Sequence, residues 1–361
     1  MESGQPRKIF IAPSYAAFGK DKLFDGSDPL LNRDDGLQPT IRLRQILAVQ
    51  GAEIHTDDYL LESAPMNQGI AEYYSFGILR DYDWLQSRYR LDFRAFLIFE
   101  PPFVARKLYK ALPLLSRYFS RIYLHNIHGD GYSLAGVDRT KLRKLFWPQP
   151  FDDVLFDYWR NSDRLTKLVV INGNHNPLLR LEFGNGELYS ARIAAMADLA
   201  KLDAVDLYGR GWAQWWHPNS MWFPYLSNYQ ALMSIYKGSC ISKYEVLSRY
   251  KFSLCLENLC MDGYITEKIF DCLYVGTIPI YLGAKDVEKY IPKDAYIDAR
   301  KFQSWKEMWS GILQLSPGQV SAMKEAGRAF LQSESGRRYY HSLDRIFSSD
   351  EATGTISTQC E

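Results

Sequence analysis

The sequence has no apolar run near the roughly 20 residues that a membrane-spanning helix requires. Its opening, Met1-Glu2-Ser3-Gly4-Gln5-Pro6-Arg7-Lys8, lacks the apolar core of a signal peptide. No asparagine opens an N-x-Ser/Thr sequon; Asn161-Ser162-Asp163 fails at its third position. Cysteine is scarce, at 240, 255, 260, 272 and 360, with no C-x-x-C pair. The odd count and irregular spacing exclude a disulfide framework and fit reduced thiols. They also argue against a structural zinc site. A surplus of one charge is missing too: 43 Lys and Arg face 42 Asp and Glu, leaving +1. A polyphosphate or strongly anionic surface recruits a basic excess, so no nucleic-acid partner is expected. These absences lead to an expectation of cytoplasmic residence without a transmembrane segment, leaving room for peripheral contact at the inner face of a membrane.

What is present is ordinary globular material, 47% hydrophobic and 24% charged. At roughly 100–200 residues per domain, 361 residues allow two or three domains. The skewed quantity is 15% aromatic, with 25 Tyr and 9 Trp. Rings stack on the apolar faces of sugars, but they also fill cores, and composition does not choose between these uses.

Strand and helix patterns alternate. Lys8–Ala12, Ala52–His55, the continuous apolar run Ala95–Phe99 and Arg121–Leu124 read as strands. Pro39 suits a first helical turn ahead of Ile41, Leu43, Ile46 and Leu47, and Val104–Tyr118 reads as one helix. Trp147-Pro148-Gln149-Pro150-Phe151 punctuates the chain. Beyond it the alternation restarts, with strands at Leu168–Ile171, Ala204–Tyr208, Lys251–Glu257 and Ile278–Leu282. Helices are expected at 188–201 and 266–274, then near 305–315 and 319–332. The expected class is α/β, with Rossmann-like domains at 1–155 and 156–347 facing across a cleft and a polar tail at 348–361.

The most informative stretch is Tyr250–Gly283, YKFSLCLENLCMDGYITEKIFDCLYVGTIPIYLG. Its strand ends in Glu257-Asn258, a short loop reaches Gly263-Tyr264, and a helix opens near Thr266, a natural N-cap. Such a loop offers backbone N–H groups and the positive end of a helix to an anion. Glu267 and Lys268 sit in the first turn, where a carboxylate can grip a ribose diol and an ammonium a phosphate. Pattern alone equally allows a surface Glu–Lys pair.

This segment closely resembles the donor-binding motif of the α-1,3/4-fucosyltransferases of glycosyltransferase family 10, including the Tyr264-Ile265-Thr266-Glu267-Lys268 helix start and the strand after it. The resemblance implies a GT-B fold and inverting transfer of L-fucose from GDP-fucose. It implies that Asn258, Tyr264, Glu267 and Lys268 hold the ribose, diphosphate and fucose, with Glu257 beside the sugar. Arg192, followed by a helical run into Val205-Asp206-Leu207-Tyr208-Gly209, is similar to the family's arginine that contacts the diphosphate. Phe99-Glu100-Pro101-Pro102 resembles the family's cleft-edge turn, whose glutamate is the proposed general base. Base chemistry suits a partly desolvated carboxylate at a buried strand end.

Other signals are weaker. Asp81-Tyr82-Asp83 spells D-x-D, but with no strand expected before it the pair reads as surface. His125-x-x-His128 lacks a third metal ligand of evident spacing, and reads instead as a cleft loop in which His128 touches donor or acceptor; Tyr208 is a second cleft candidate. Trp212, Trp215, Trp216 and Trp222 crowd an apparent insertion, either packing it or stacking on a ligand. Gly209-Arg210-Gly211 is too short for a dinucleotide fingerprint. The expected activity is transfer of fucose to a hydroxyl, O3 of N-acetylglucosamine or glucose, of an oligosaccharide or lipid-linked glycan. No cofactor and no metal site are expected, which leaves stimulation by free metal open. The alternatives are a transferase of another GDP-linked deoxyhexose and a non-catalytic nucleotide-sugar or glycan-binding protein.

Overall fold

The computed structural model describes residues 6–62, 69–174, 186–217 and 220–348. Strands β1 (Lys8–Ala12), β2 (Glu53–Thr56), β3 (Ala71–Ser75), β4 (Leu91–Leu97), β5 (Arg121–Leu124) and β6 (Leu142–Lys144) form one parallel sheet in the order β2-β1-β3-β4-β5-β6. Strands β7 (Leu165–Ile171), β8 (Val205–Tyr208), β9 (Tyr250–Leu256), β10 (Ile278–Leu282) and β11 (Ile297–Asp298) form a second, in the order β11-β10-β9-β7-β8. The two sheets repeat one winding: the first strand lies between the second and third. The chain therefore reverses its direction of progress between β1 and β3, and again between β7 and β9.

The apolar runs form these strands because both faces are covered. On β1, Phe10 and Ala12 join one core cluster while Ile9 and Ile11 join the other, as a period of two requires. The second sheet splits in the same way, with Val169 and Cys255 on one face and Val170, Leu254 and Leu256 on the other. The α/β architecture of two Rossmann-like domains across a cleft is the one expected.

Several local expectations change. Strand β3 was not anticipated, so Asp81-Tyr82-Asp83 does follow a strand. Its carboxylates nonetheless have structural partners: Asp81 caps the helix Tyr82–Arg88 by accepting from Trp84 N, and Asp83 accepts from Tyr118 Oη. Val104–Tyr118 is two helices, Arg106–Lys110 and Leu112–Tyr118, because Pro113 lacks the N–H needed to continue the first but fits the opening turn of the second. The end of the expected second domain is also revised. Helix Ser342–Phe347 returns to the first domain, where Leu343, Ile346 and Phe347 enter its core and Phe347 stacks on Tyr74 at 3.9 Å. The segment 349–361, which includes Cys360, lies outside the described residues. Among the described residues no helix is long and apolar enough to cross a membrane.

Candidate active site

The reversal between β7 and β9 places two strand ends side by side. β7 delivers Asn172-Gly173 and β9 delivers Asn258, while the helix Glu267–Val275 points its N-terminus at the gap. A cavity of about 560 Å³ opens there, closed on the far side by Tyr15, Glu100 and Phe103 of the first domain. Glu100, Arg192, Asn258, Glu267 and Lys268 all line it.

Arg192, on helix Tyr189–Ala200, is 5% exposed. Its Nη2 donates to the carbonyls of Leu256 (2.9 Å) and Glu257 (3.0 Å) and lies 3.4 Å from Asn258 Oδ1. These neutral acceptors fix the guanidinium at the end of β9 without cancelling its charge. Burial pulls its pKa down, against the raising influence of Tyr189 and Glu257. The anion-friendly character of the loop thus includes a fixed buried cation.

The start of helix Glu267–Val275 is built differently from the cap expected. Thr266 occupies the N-cap with extended backbone, but its side chain makes no capping hydrogen bond. Its hydroxyl donates to Glu257 Oε2 (2.8 Å) and its N–H to Glu257 Oε1 (2.9 Å); Lys268 Nζ adds 3.1 Å to Oε2. The carboxylate of Glu257 is fully buried, and the charge-assisted bonds compensate its lost hydration. Glu257 therefore braces the loop and aims Lys268; it is not among the residues lining the cavity. Burial alone would lower the pKa of Lys268, but Glu257 and Glu267 outweigh it and raise the value, so the ammonium stays charged. Burial would raise the pKa of Glu267, but Lys268 and Lys243 hold it below its ordinary value.

The remaining candidates fall elsewhere. Tyr264, 1% exposed, does not line the cavity; its ring stands edge-on to His125 at 4.9 Å, packed with Leu259, Met261 and Phe103. His128 lines a separate cavity together with His125. His125 faces Phe99 O through Nε2 at 2.8 Å, and no group of three or more metal-binding side chains occurs among the described residues. Tyr208 is removed from the cleft: its Oη meets Tyr250 Oη at 3.4 Å, and Tyr250 in turn donates to buried Asp206. Trp212 and Trp222 are buried in the second-domain core, whereas Trp215 and Trp216 are exposed and edge-on to each other.

Lys243, Asp271 and Asn172 are among the lining residues that the sequence did not single out. Lys243 pairs with Asp271 at 2.5 Å, and both border the cavity. Burial raises Asp271 to about 6, partly opposed by Lys243. Asn172 has both side-chain polar atoms buried without a hydrogen-bond partner among the described residues. Asp271 lies four residues beyond Glu267, a readable same-face signal; Lys243 comes from a distant helix and carried none. The cavity thus combines Arg192, Lys243 and Lys268 on one wall with the Glu100 carboxylate on the opposite domain.

Residues 181–323 match the family model described as the C-terminal region of glycosyltransferase family 10 (fucosyltransferase). This is the family that Tyr250–Gly283 resembles. An α-(1,4)-fucosyltransferase of Arabidopsis thaliana is 35% identical over 102 residues, 28% of this chain and 25% of that protein. An α-(1,3)-fucosyltransferase of Helicobacter pylori is 33% identical over 100 residues, 28% of this chain and 21% of that protein. The match spans about a quarter or less of each relative's length. A sucrose-phosphate synthase from Thermosynechococcus elongatus superposes with a TM-score of 0.55 at 10% identity, covering 94% of this chain and 98% of that one. The shared fold is GT-B, two Rossmann-like domains facing across a cleft.

Proposed function

We propose that the chain is an inverting fucosyltransferase that moves L-fucose from GDP-fucose to O3 of an N-acetylglucosamine or glucose unit in a glycan acceptor. The observation that carries this reading is one cavity in which a carboxylate of the first domain faces a cationic, family-signature wall of the second. Glu267 grips the ribose diol, and Lys268 and Arg192 hold the diphosphate. Asn258, fixed beside Arg192, meets the sugar end. Glu100 removes the proton from the acceptor hydroxyl as its oxygen forms the new bond to the anomeric carbon. The bond to GDP breaks on the opposite face, giving an α-L-fucoside from the β-linked donor. Negative charge gathers on the departing diphosphate, and preorganised cations that already face it lower the barrier without reorganisation. Glu257 and Thr266 act through Lys268 and the loop, as positioning residues.

The test is incubation with GDP-fucose and a panel of N-acetyllactosamine-type and related acceptors, followed by linkage analysis of the product. An α-1,3-fucoside is the expected result. Binding of GDP with no transfer across the panel would leave a nucleotide-sugar-binding protein. Turnover of another GDP-deoxyhexose in preference to GDP-fucose would reassign the donor.

A further inference from the structure

We propose that His125 and Tyr109 are positioning residues for the base: they hold the carbonyls of Phe99 and Glu100 and so fix where the Glu100 carboxylate stands. This rests on the transferase reading above. Strand β4 ends at Leu97, and Ile98 N still donates to Tyr123 O on β5. Beyond it, Phe99-Glu100-Pro101-Pro102 has only two backbone N–H groups, because neither proline carries one. Such a turn is short of donors for any ladder, yet it is withdrawn from water. Pro101 and Pro102 are buried, and Phe99 and Glu100 are half-buried. Side chains take over the holding. Tyr109 Oη, from helix Arg106–Lys110, donates to Glu100 O at 3.2 Å, and His125 Nε2 stands 2.8 Å from Phe99 O. A carbonyl only accepts, so Nε2 carries the proton and donates it. Nδ1, without a hydrogen-bond partner among the described residues, fits this tautomer. Burial, then the nearby Lys144 charge, lowers the imidazole to about 3 and keeps it neutral.

Both holders belong to one support. His125 is 1% exposed and stacks on Trp147 at 5.8 Å, and Trp147 stands edge-on to Phe99. Tyr109 is 5% exposed and packs edge-on against Tyr132 at 4.7 Å. The Tyr132 hydroxyl donates to Asn126 O, next to His125. The loop after β5 thus backs the turn at two points. It also touches the donor side, where His125 meets Tyr264 and Asn126 Nδ2 reaches Asp262 O at 3.3 Å. Base and donor loop are therefore registered through one segment. A base displaced by about 1 Å can cost as much as 10²-fold in rate while the donor is held as before.

The test is steady-state kinetics of Tyr109→Phe, His125→Phe and His125→Gln, each in the wild-type chain and in Glu100→Gln. The phenylalanines keep a ring in place and remove the donor to the turn. In the wild-type chain each is expected to lower kcat roughly 10–10²-fold with donor KM unchanged. The amide of His125→Gln can donate to Phe99 O again and should recover most of the loss. In Glu100→Gln, where no base remains to be placed, the phenylalanine variants should change kcat less than about twofold. An unchanged kcat in either phenylalanine variant overturns the assignment, as does a His125→Gln no better than His125→Phe. An equal loss in both backgrounds, which a merely structural role gives, overturns it too. If the wild type transfers nothing, or Glu100→Gln leaves kcat intact, the reading of Glu100 has failed by itself. The hold on the turn is then read by hydrogen exchange at Ile98, Val104 and Ala105, whose N–H groups donate to Tyr123 O and Pro101 O. Exchange about tenfold faster in Tyr109→Phe and His125→Phe, the loss of roughly one hydrogen bond, supports it, and unchanged exchange overturns it.

Discussion

The two domains share one strand order and differ in what they bring to the cleft. Of charged groups and Asn258, the second domain supplies Arg192, Lys243, Asn258, Glu267, Lys268 and Asp271 to the main cavity, whereas the first supplies a single charged group, Glu100, beside Tyr15 and Phe103. Residues 181–323, which match the family model, lie wholly beyond the first sheet. In the proposed reaction a doubly charged diphosphate is held by several groups fixed against each other, and of these Asn258, Glu267 and Lys268 come from one strand end and the helix start that follows it. Removing one proton from a hydroxyl requires one carboxylate at a strand end. The same fold thus tolerates a sparse side and demands a dense one.

The sharpest way to break this comparison is to delete one group from each side. Glu100→Gln is expected to lower kcat by roughly 10²–10⁴ with donor KM unchanged, the range for losing a positioned base. Arg192→Ala is expected to lower kcat/KM for GDP-fucose by roughly 10²–10³ and to raise donor KM, since the proposed role sets it against the leaving group before and during reaction. Steady-state kinetics with each substrate varied separates them. A donor KM that rises as much in Glu100→Gln as in Arg192→Ala would place both residues on the donor and erase the division.

The next effect is on stability. Glu257→Ala removes a fully buried carboxylate, takes away the acceptor of the Thr266 hydroxyl and leaves Lys268 only Thr266 Oγ1 (2.9 Å) and the longer pair with Glu267 (3.6 Å). The expected cost is about 3–5 kcal/mol in denaturant unfolding, as for breaking a buried ion pair from one side. Glu257→Gln, which keeps the shape and some of the bonds, should recover part of it. A loss in activity with no loss in stability would instead mean that Glu257 contacts the sugar. Gly263→Ala is the corresponding probe of the seam between domains. A left-handed backbone with the His125 carbonyl in the way should cost about 1–3 kcal/mol, and a neutral result would mean that the seam yields easily.

The dense side was also the legible side. From Phe252 to Lys268 the sequence itself spells strand, loop and helix, and Arg192, Asn258, Glu267 and Lys268 do converge. What the spacing did not carry was direction. Thr266 turns its hydroxyl back to Glu257, so Glu257 faces inward and Tyr264 packs on His125, and neither lines the cavity. Strand β3 was hidden because Glu72 interrupts its apolar pattern; that carboxylate is accommodated by pairing with Arg7 at 2.6 Å, by Tyr74 Oη donating to it at 2.9 Å and by Arg94 at 3.7 Å. Lys243 and Asn172 come from separate segments, and no local pattern announces a pocket wall assembled in three dimensions. The return of helix Ser342–Phe347 to the first domain was unreadable for the same reason.

The smallest expected effect tests whether Asp271, deep on the dense side, faces the donor. Burial raises its pKa to about 6 from an ordinary 3.8. As pH falls from 7.5 to 5.5 the group gains a proton and the cavity loses one negative charge, so an anionic diphosphate binds more tightly. Donor Kd for intact GDP-fucose should fall roughly threefold, a Coulomb effect of under 1 kcal/mol at an effective dielectric near that of protein surfaces. Intact donor is the right probe, since a terminal phosphate such as that of free GDP titrates near pH 6 itself. The stability contribution has the same sign. The folded state binds the proton more readily than the unfolded chain, so the gain is complete below about 3.8 and is lost as pH rises through about 6. Asp271→Asn removes the titrating group while keeping its shape and should flatten the donor-affinity profile. If calorimetry finds the same slope in wild type and Asp271→Asn, the pH response of donor binding belongs to another group. The Lys243–Asp271 pair would then be a strut behind the cavity rather than part of its face.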